Sequence, residues 1–458
     1  MSGNRVINLI VIGLIVLTAD IAAAGPRTTA VLVEDINPAS QSSSPFDLTD
    51  VNGTLYFTAT LPSTGRELWR TTNGGRVMLV SDINPGAVGS AIWYPTPFGD
   101  GIAFSTHTPA TGYELWKSDG TAEGTVMVRD INPGAAGSAP GSFAVLGGAV
   151  FFAADDGVHG TALWKSDGTA AGTVMVADIN PDPGGSTLSA LVSLGGSLFF
   201  LADDGTHGNE LWKSDGTSAG TVMVHDIAPG SEDSFPSEMT SLNGIIFFAA
   251  SEPNTGRELW KTDGTSAGTS LAFDINPGAA SSFPGALTYS TGGPADGLYF
   301  SADHASLGRE PLWTDGIGLL PKDVNFGPAS SNPQGFTASG DSVYFTADDG
   351  VLGRELWAAT PGSYGSLMSD ISPGPSGSVP GDLTDVNGTL FLVANDGASG
   401  RELWKFQPST GATLVRDIWP GPFGISVGSL AHVDGTLYFS AAEPETGNEL
   451  WKTRPRIR

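Results

Sequence analysis

A chain of 458 residues with 48 acidic against 21 basic side chains carries a formal charge of −27, which excludes nucleic acid as a partner and favours cations, basic proteins or divalent metals. The absence of cysteine excludes a disulfide framework and a thiol-linked lipid anchor. The 63 Gly and 31 Pro would mark low complexity if scattered; here they recur at fixed places and act as turn punctuation.

Residues 1–24 place Arg5 ahead of an apolar run from Val6 to Leu17 and end in Ala22-Ala23-Ala24, the three regions of a secretory signal peptide. The run is too short to cross a bilayer, so the expected product, 25–458, is a secreted or periplasmic, monomeric protein without membrane insertion. That product opens with a strand over Thr29–Ile36 and then repeats. An aspartate begins an Asp-Ile-Asn-Pro-Gly-like turn at Asp35, Asp82, Asp130, Asp178, Asp226, Asp274, Asp323, Asp370 and Asp417. Each is followed by a Leu-Trp tryptophan: Trp69, Trp116, Trp164, Trp212, Trp260, Trp313, Trp357, Trp404 and Trp451. The separation is 34 residues in every pair except Asp274/Trp313, where it is 39. A period of about 47 residues identifies one supersecondary unit repeated around or along an axis.

Residues 130–178 show the unit in full. After the turn come Ser142–Leu146, the two-residue hairpin Gly147-Gly148, the strand Ala149–Ala154, the turn Asp155-Asp156-Gly157, the strand Ala162–Lys165 and a fourth strand from Thr173. No segment has a 3.6-residue apolar period of helical length, so the fold is all-β. Four antiparallel strands in this length make one propeller blade. Asn52-Gly53, Asn387-Gly388 and Asp434-Gly435 suit the positive φ of type I′ hairpins. The five extra residues of the Asp274 unit are assigned to the hairpin 290–297.

The chain begins with a fourth strand that lacks its first three and ends with a third strand, Asn448–Lys452, that lacks its fourth. Pairing the two predicts a single closed β-propeller of about nine four-stranded blades, the N-terminal strand completing the last. Closure removes exposed sheet edges. The nine tryptophans then dock between blades, each burying roughly 200 Å². Arg66, Arg257, Arg309, Arg354 and Arg401 share one repeat position and read as blade-to-blade salt bridges.

Ala250–Trp260 and Ala441–Trp451 resemble the tryptophan-docking motif of quinoprotein-dehydrogenase-like propellers. Glu114–Thr121, Glu210–Thr217 and Glu258–Thr265 resemble more closely the ELWxxDGT-repeat proteins, a group of exported bacterial proteins. Their resemblance implies a propeller-like array and an exported bacterial origin, and brings no activity with it. Ala162 in place of Glu, Pro311 before Leu312, and the lost Asp-Gly-Thr turns after Trp69, Trp357 and Trp404 depart from the motif.

Candidate chemistry lies in carboxylates. Asp155-Asp156, Asp203-Asp204 and Asp348-Asp349, with the related Asn395-Asp396, crowd equivalent turns and form the kind of all-oxygen set that calcium accepts; the same residues are also ordinary turn formers. His159 and His207 sit beside two of these turns. No other cofactor is expected, and no catalytic residue stands out. The expected function is that of an acidic binding or surface-interaction scaffold for a protein, a glycan or the cell envelope. The alternative is a propeller enzyme acting on polysaccharide or through a quinone cofactor. A side-chain cluster confined to one or two blades favours catalysis, and an even ring favours a scaffold.

Overall fold

The computed structural model describes residues 28–38, 41–72, 75–291, 296–360 and 365–455; residues 1–24, expected to be a signal peptide, lie outside them. The regular elements described are all strands, and they form nine sheets of four. Blades one to eight follow the chain, at 46–81, 93–129, 141–177, 189–225, 237–273, 285–321, 334–369 and 381–416. Blade nine joins three strands within 428–455 to Thr28–Glu34. Thr28 pairs with Pro455 and Leu32 with Trp451 in an antiparallel ladder, so the ring closes between the two ends of the repeat, as its phase predicts.

First strands touch the first strands of both neighbouring blades and therefore surround the axis, leaving the fourth strands at the rim. Hairpins joining strands one to two and three to four share one face, the hairpin face. Asp-Ile-Asn-Pro-Gly crossovers and Asp-Asp-Gly turns share the other, the crossover face. The type I′ expectation holds at Asn52 and Gly53, with φ of 51° and 82°.

Second strands are apolar on both sides because each lies mid-blade between two neighbours, as Val150, Phe151 and Phe152 show. Tryptophans in the third strand face the preceding blade. Trp164 packs on Ala103, Leu115 and Val128 of blade two, Trp260 on Phe199 and Leu211 of blade four, and Trp451 on Phe391 and Leu403 of blade eight.

Blade six breaks the pattern. Four of its five extra residues lie in the hairpin between Ser290 and Gly297, and the fifth is Pro311 inside the third strand, which corrects the assignment of all five to the hairpin. Elsewhere the tryptophan stands opposite the second-strand residue that Phe248 occupies in blade five. In blade six Leu312 stands there, opposite Phe300, and Trp313 is displaced to Tyr299. A one-residue slip sends a side chain to the other face of a strand. Leu312 accordingly packs on Leu259 and Ile275 of blade five, and Trp313 faces Phe336 and Phe345 of blade seven.

Candidate functional site

Every crossover carries the chain from the rim back to the axis, and its backbone N–H groups need partners. The glutamate of Glu-Leu-Trp supplies them. Glu114, fully buried, accepts hydrogen bonds from the N–H groups of Ile131 (3.0 Å), Asn132 (3.1 Å) and Ser138 (2.9 Å) and from the Ser138 hydroxyl (2.6 Å). Glu355 holds Ile371, Ser372 and Ser378 in the same way. Glu449 reaches across the closure to Ile36 and Ser43, so the staple that fixes each crossover also fastens the ring. Blade three alone has Ala162 in this position. These glutamates are the largest feature that sequence reasoning missed. Glu and Trp two residues apart share a strand face, but the donors lie 14 to 24 residues further on, or across the closure for Glu449, and show no motif.

Burial pushes the carboxyls of Glu67, Glu210 and Glu402 up to about 7. These are the three staples without the N–H bond that Ser138 gives Glu114. Ser90, Ser234 and Ile425 instead donate that N–H to the carbonyls of Arg66, Asn209 and Arg401. Fewer donors on a buried carboxylate leave its charge less compensated.

Beyond the staple the chain enters the first strand through left-handed residues. Ser44, Phe235, Phe283, Asn332 and Val379 have φ between 44° and 48°, which costs about 1–3 kcal/mol each for a residue with a side chain. The five repeated arginines hold these residues in place. Arg66 donates to the Ser44 carbonyl (3.0 Å), Arg257 to Phe235 (2.8 Å), Arg309 to Phe283 (3.0 Å), Arg354 to Asn332 (2.7 Å) and Arg401 to Val379 (2.9 Å). All five bonds stay within a blade. The ion pairs that Arg309 and Arg401 form, with Asp303 (3.6 Å) and Asp382 (3.7 Å), do so too, so the expected blade-to-blade salt bridges are corrected to intrablade backbone staples.

The result is a channel mouth on the crossover face that displays apolar side chains. Phe46, Trp93, Tyr94, Phe235, Phe283 and Val379 are each about half exposed at the crossover-face ends of the first strands. A second left-handed residue in each first strand varies from blade to blade: Asp47, Tyr94, Glu238 and Asp382 contrast with Ala190, Ala286 and Gly335. Pro45, Phe46, Ile92 and Trp93 wall a cleft of about 370 Å³ between blades nine, one and two, with Arg66 and Asp47 inside it. Burial raises the Asp47 carboxyl and lowers the Arg66 guanidinium, each partly countered by the other's charge. Tyr94 continues the aromatic wall toward Phe143 of blade three, ring centres 6.0 Å apart.

The carboxylates proposed for calcium are engaged within their own turns. Asp155 accepts from Gly157 (2.7 Å), and Asp156 accepts from Val158 and His159 N–H while its other oxygen meets His159 Nδ1 at 2.8 Å. Asp203, Asp204 and His207 repeat this. Asp348 and Asp349 bond Gly350, Val351 and Leu352. Among the described residues no group of three or more His, Cys, Asp or Glu gathers as a metal would require.

No family model and no curated protein sequence matches the chain, so membership of the ELWxxDGT-repeat proteins is not shown. Among the solved structures that resemble its fold are peptidases. One is from a study of two prolyl endopeptidases (13% identity, 88% of this chain and 55% of that one, TM-score 0.46). Another is a puromycin hydrolase (12% identity, 88% and 58%, TM-score 0.42). A third is the β-propeller domain of the Trilobed protease from Pyrococcus furiosus (9% identity, 81% and 98%, TM-score 0.37). That domain has an open velcro topology, whereas here the first and last strands close the ring. The chain spans little more than half the length of the first two. At these identities the likeness concerns the fold. Since peptidases are among the structures found with it, the expectation of a scaffold without catalysis is corrected.

Proposed function

We propose that this propeller is the substrate-admitting part of an enzyme acting on peptides. It receives an extended apolar stretch of polypeptide at the crossover-face mouth of its axis. The observation that carries this reading is the unevenness of the mouth. Exposed aromatic rings concentrate at blades one and two around a cleft, carboxylates project at Asp47, Glu238 and Asp382, and small residues occupy the same position in blades four, six and seven. An apolar cleft with a few placed polar groups suits a side chain of a peptide, and the acidic neighbours favour one with basic residues. The signal-like segment and the motif Glu-Leu-Trp-Lys-Ser-Asp-Gly-Thr support a further reading, that the protein is exported and akin to the ELWxxDGT-repeat group.

The test is a binding and cleavage screen with the full chain. Fluorescently labelled peptides pairing aromatic with basic residues should bind, and Trp93→Ala and Phe46→Ala should each weaken binding by about tenfold. Mass spectrometry of the same mixtures reads cleavage. Absence of binding, or affinity unchanged in both variants, overturns the proposal.

A further inference from the structure

Blade three has Ala162 where the others carry the crossover glutamate, yet it keeps the rest of that arrangement. Tyr113 and Gly137 form a parallel bridge beside Glu114, and Thr161 and Gly185 form the same bridge beside Ala162. The Ser138 N–H donates to the Tyr113 carbonyl at 2.9 Å, and the Ser186 N–H donates to the Thr161 carbonyl at 2.9 Å. The Asn132 amide reaches the Gly137 carbonyl at 3.0 Å, and the Asn180 amide reaches the Gly185 carbonyl at 3.2 Å. The crossover after blade three is therefore held as the one after blade two is held. Leu188 does not take the place of the missing carboxylate. It packs with Leu163, Val176 and Phe200, as Ile92 packs with Leu68, Val80 and Phe104 in the unit that retains Glu67.

What differs is the donors. Blades three and four lie wholly within the described residues. Among these the N–H groups of Ile179 and Asn180 meet no acceptor, whereas Ile131 and Asn132 donate theirs to Glu114. The Ser186 hydroxyl accepts from the Asp203 N–H at 3.0 Å, which leaves its own hydrogen to donate. Ile179, Asn180 and Ser186 are all buried, and buried N–H groups without partners are rare and costly. The surrounding charges match those of an intact blade. His207 of blade four is raised first by its hydrogen bond to Asp204 and in part by the charge of Glu210. Its counterpart His159 is raised by Asp156 and then by Asp178, and Asp178 stands where Asp226 opposes the Glu210 charge.

We propose that this cradle binds a free small monocarboxylate, formate or acetate, with its oxygens on the N–H groups of Ile179 and Asn180 and on the Ser186 hydroxyl. What glutamate carries beyond alanine is one methylene carbon and a carboxyl group, and acetate is one methyl carbon and a carboxyl group. Contact takes more room than a covalent bond, so acetate is the upper limit of size and propionate overfills the space. The site does not rest on the peptide reading, and it lies in a different blade from the cleft at Phe46 and Trp93.

Saturation-transfer NMR of the full chain, titrated separately with formate, acetate, propionate and acetamide, tests this. Formate, acetate or both should bind with a Kd on the order of 1 mM, in keeping with so few atoms. Propionate and neutral acetamide should each bind at least about tenfold more weakly, the worth of a hydrogen bond to a charged group in the case of acetamide. Ala162→Glu, which supplies the carboxylate covalently, and Ala162→Leu, which fills the space without charge, should each abolish binding. Binding of neither formate nor acetate overturns the proposal. So does propionate or acetamide binding as well as the tighter of the two, a comparison that needs no variant. Binding retained in either variant overturns it as well.

Discussion

Raising the pH from 5 to 8 should destabilise this propeller, and the buried crossover glutamates set the size of the effect. An ordinary glutamate titrates at 4.5, whereas Glu67, Glu210 and Glu402 are raised to about 7. Below pH 4.5 these carboxyls are protonated in both the folded and unfolded chain, and no penalty arises. Between 4.5 and 7 the unfolded chain releases its protons first and draws the equilibrium toward itself. Above 7 both states are ionised and the penalty is constant. At about 1.4 kcal/mol per unit the full shift corresponds to about 3 kcal/mol per group, which screening and relaxation reduce to about 1–2 kcal/mol. His159 and His207 act in the same direction, because the hydrogen bonds they donate to Asp156 and Asp204 raise them and that contribution fades above their raised values. Asp119, Asp167, Asp215 and Asp263, held low by their own turns, act only at more acid pH.

Urea unfolding at pH 5, 6, 7 and 8 reads the effect, and Glu210→Gln assigns it. Glutamine is neutral throughout, so the variant's loss of stability should be smaller at pH 8 than at pH 5 by about 1–2 kcal/mol. Stability that is flat or rising from pH 5 to 8, or a Glu210→Gln loss identical at both ends, would refute the account.

Three further outcomes follow from the same geometry. Deleting Pro311 should restore the register of the other blades and turn Trp313 toward blade five; the space it leaves beside Tyr299 and Phe345 should cost about 2–4 kcal/mol, measured by urea unfolding, with the indole located by crystallography. Removing Thr28–Glu34 should expose the edge of the last strand, so that light scattering shows association and the cooperative melt is lost; a soluble variant with the parent's melting midpoint would show that the closure contributes nothing. Arg257→Met should release the left-handed Phe235 at a cost of about 1.5–3 kcal/mol in urea unfolding, the worth of a hydrogen bond from a charged donor.

The ring was legible in the sequence because its period, its turn residues and the complementary chain ends are all local signals. Trp313 was not, because Pro311 looks like a substitution until distances are counted from Glu310, which keeps its place while the tryptophan moves one residue further along. The roles of Glu67 and its equivalents were hidden by the reach of their bonds to distant backbone. The mouth left a faint trace. Of eleven tryptophans nine occupy the docking position, and one of the two remaining, Trp93, walls the candidate cleft. Nothing in the sequence places Phe235 and Phe283 at that mouth, since their exposure follows from left-handed backbone held by Arg257 and Arg309.

Redundancy explains where this ring is free to specialise. With eight glutamate staples and nine tetrads of strands sharing the work, loss of one repeated contact need not open the ring, and blade three shows this by keeping its four strands without the carboxylate that Ala162 replaces. Departures from the repeat are therefore tolerated structurally and can be occupied chemically. The peptide mouth proposed above lies at such a departure. Phe46 and Trp93 stand where six of the other seven blades carry Gly or Ser. It adjoins blade one, beside the closure. There the neighbouring blades come from opposite ends of the chain, and a change in one blade leaves its sequence neighbours untouched.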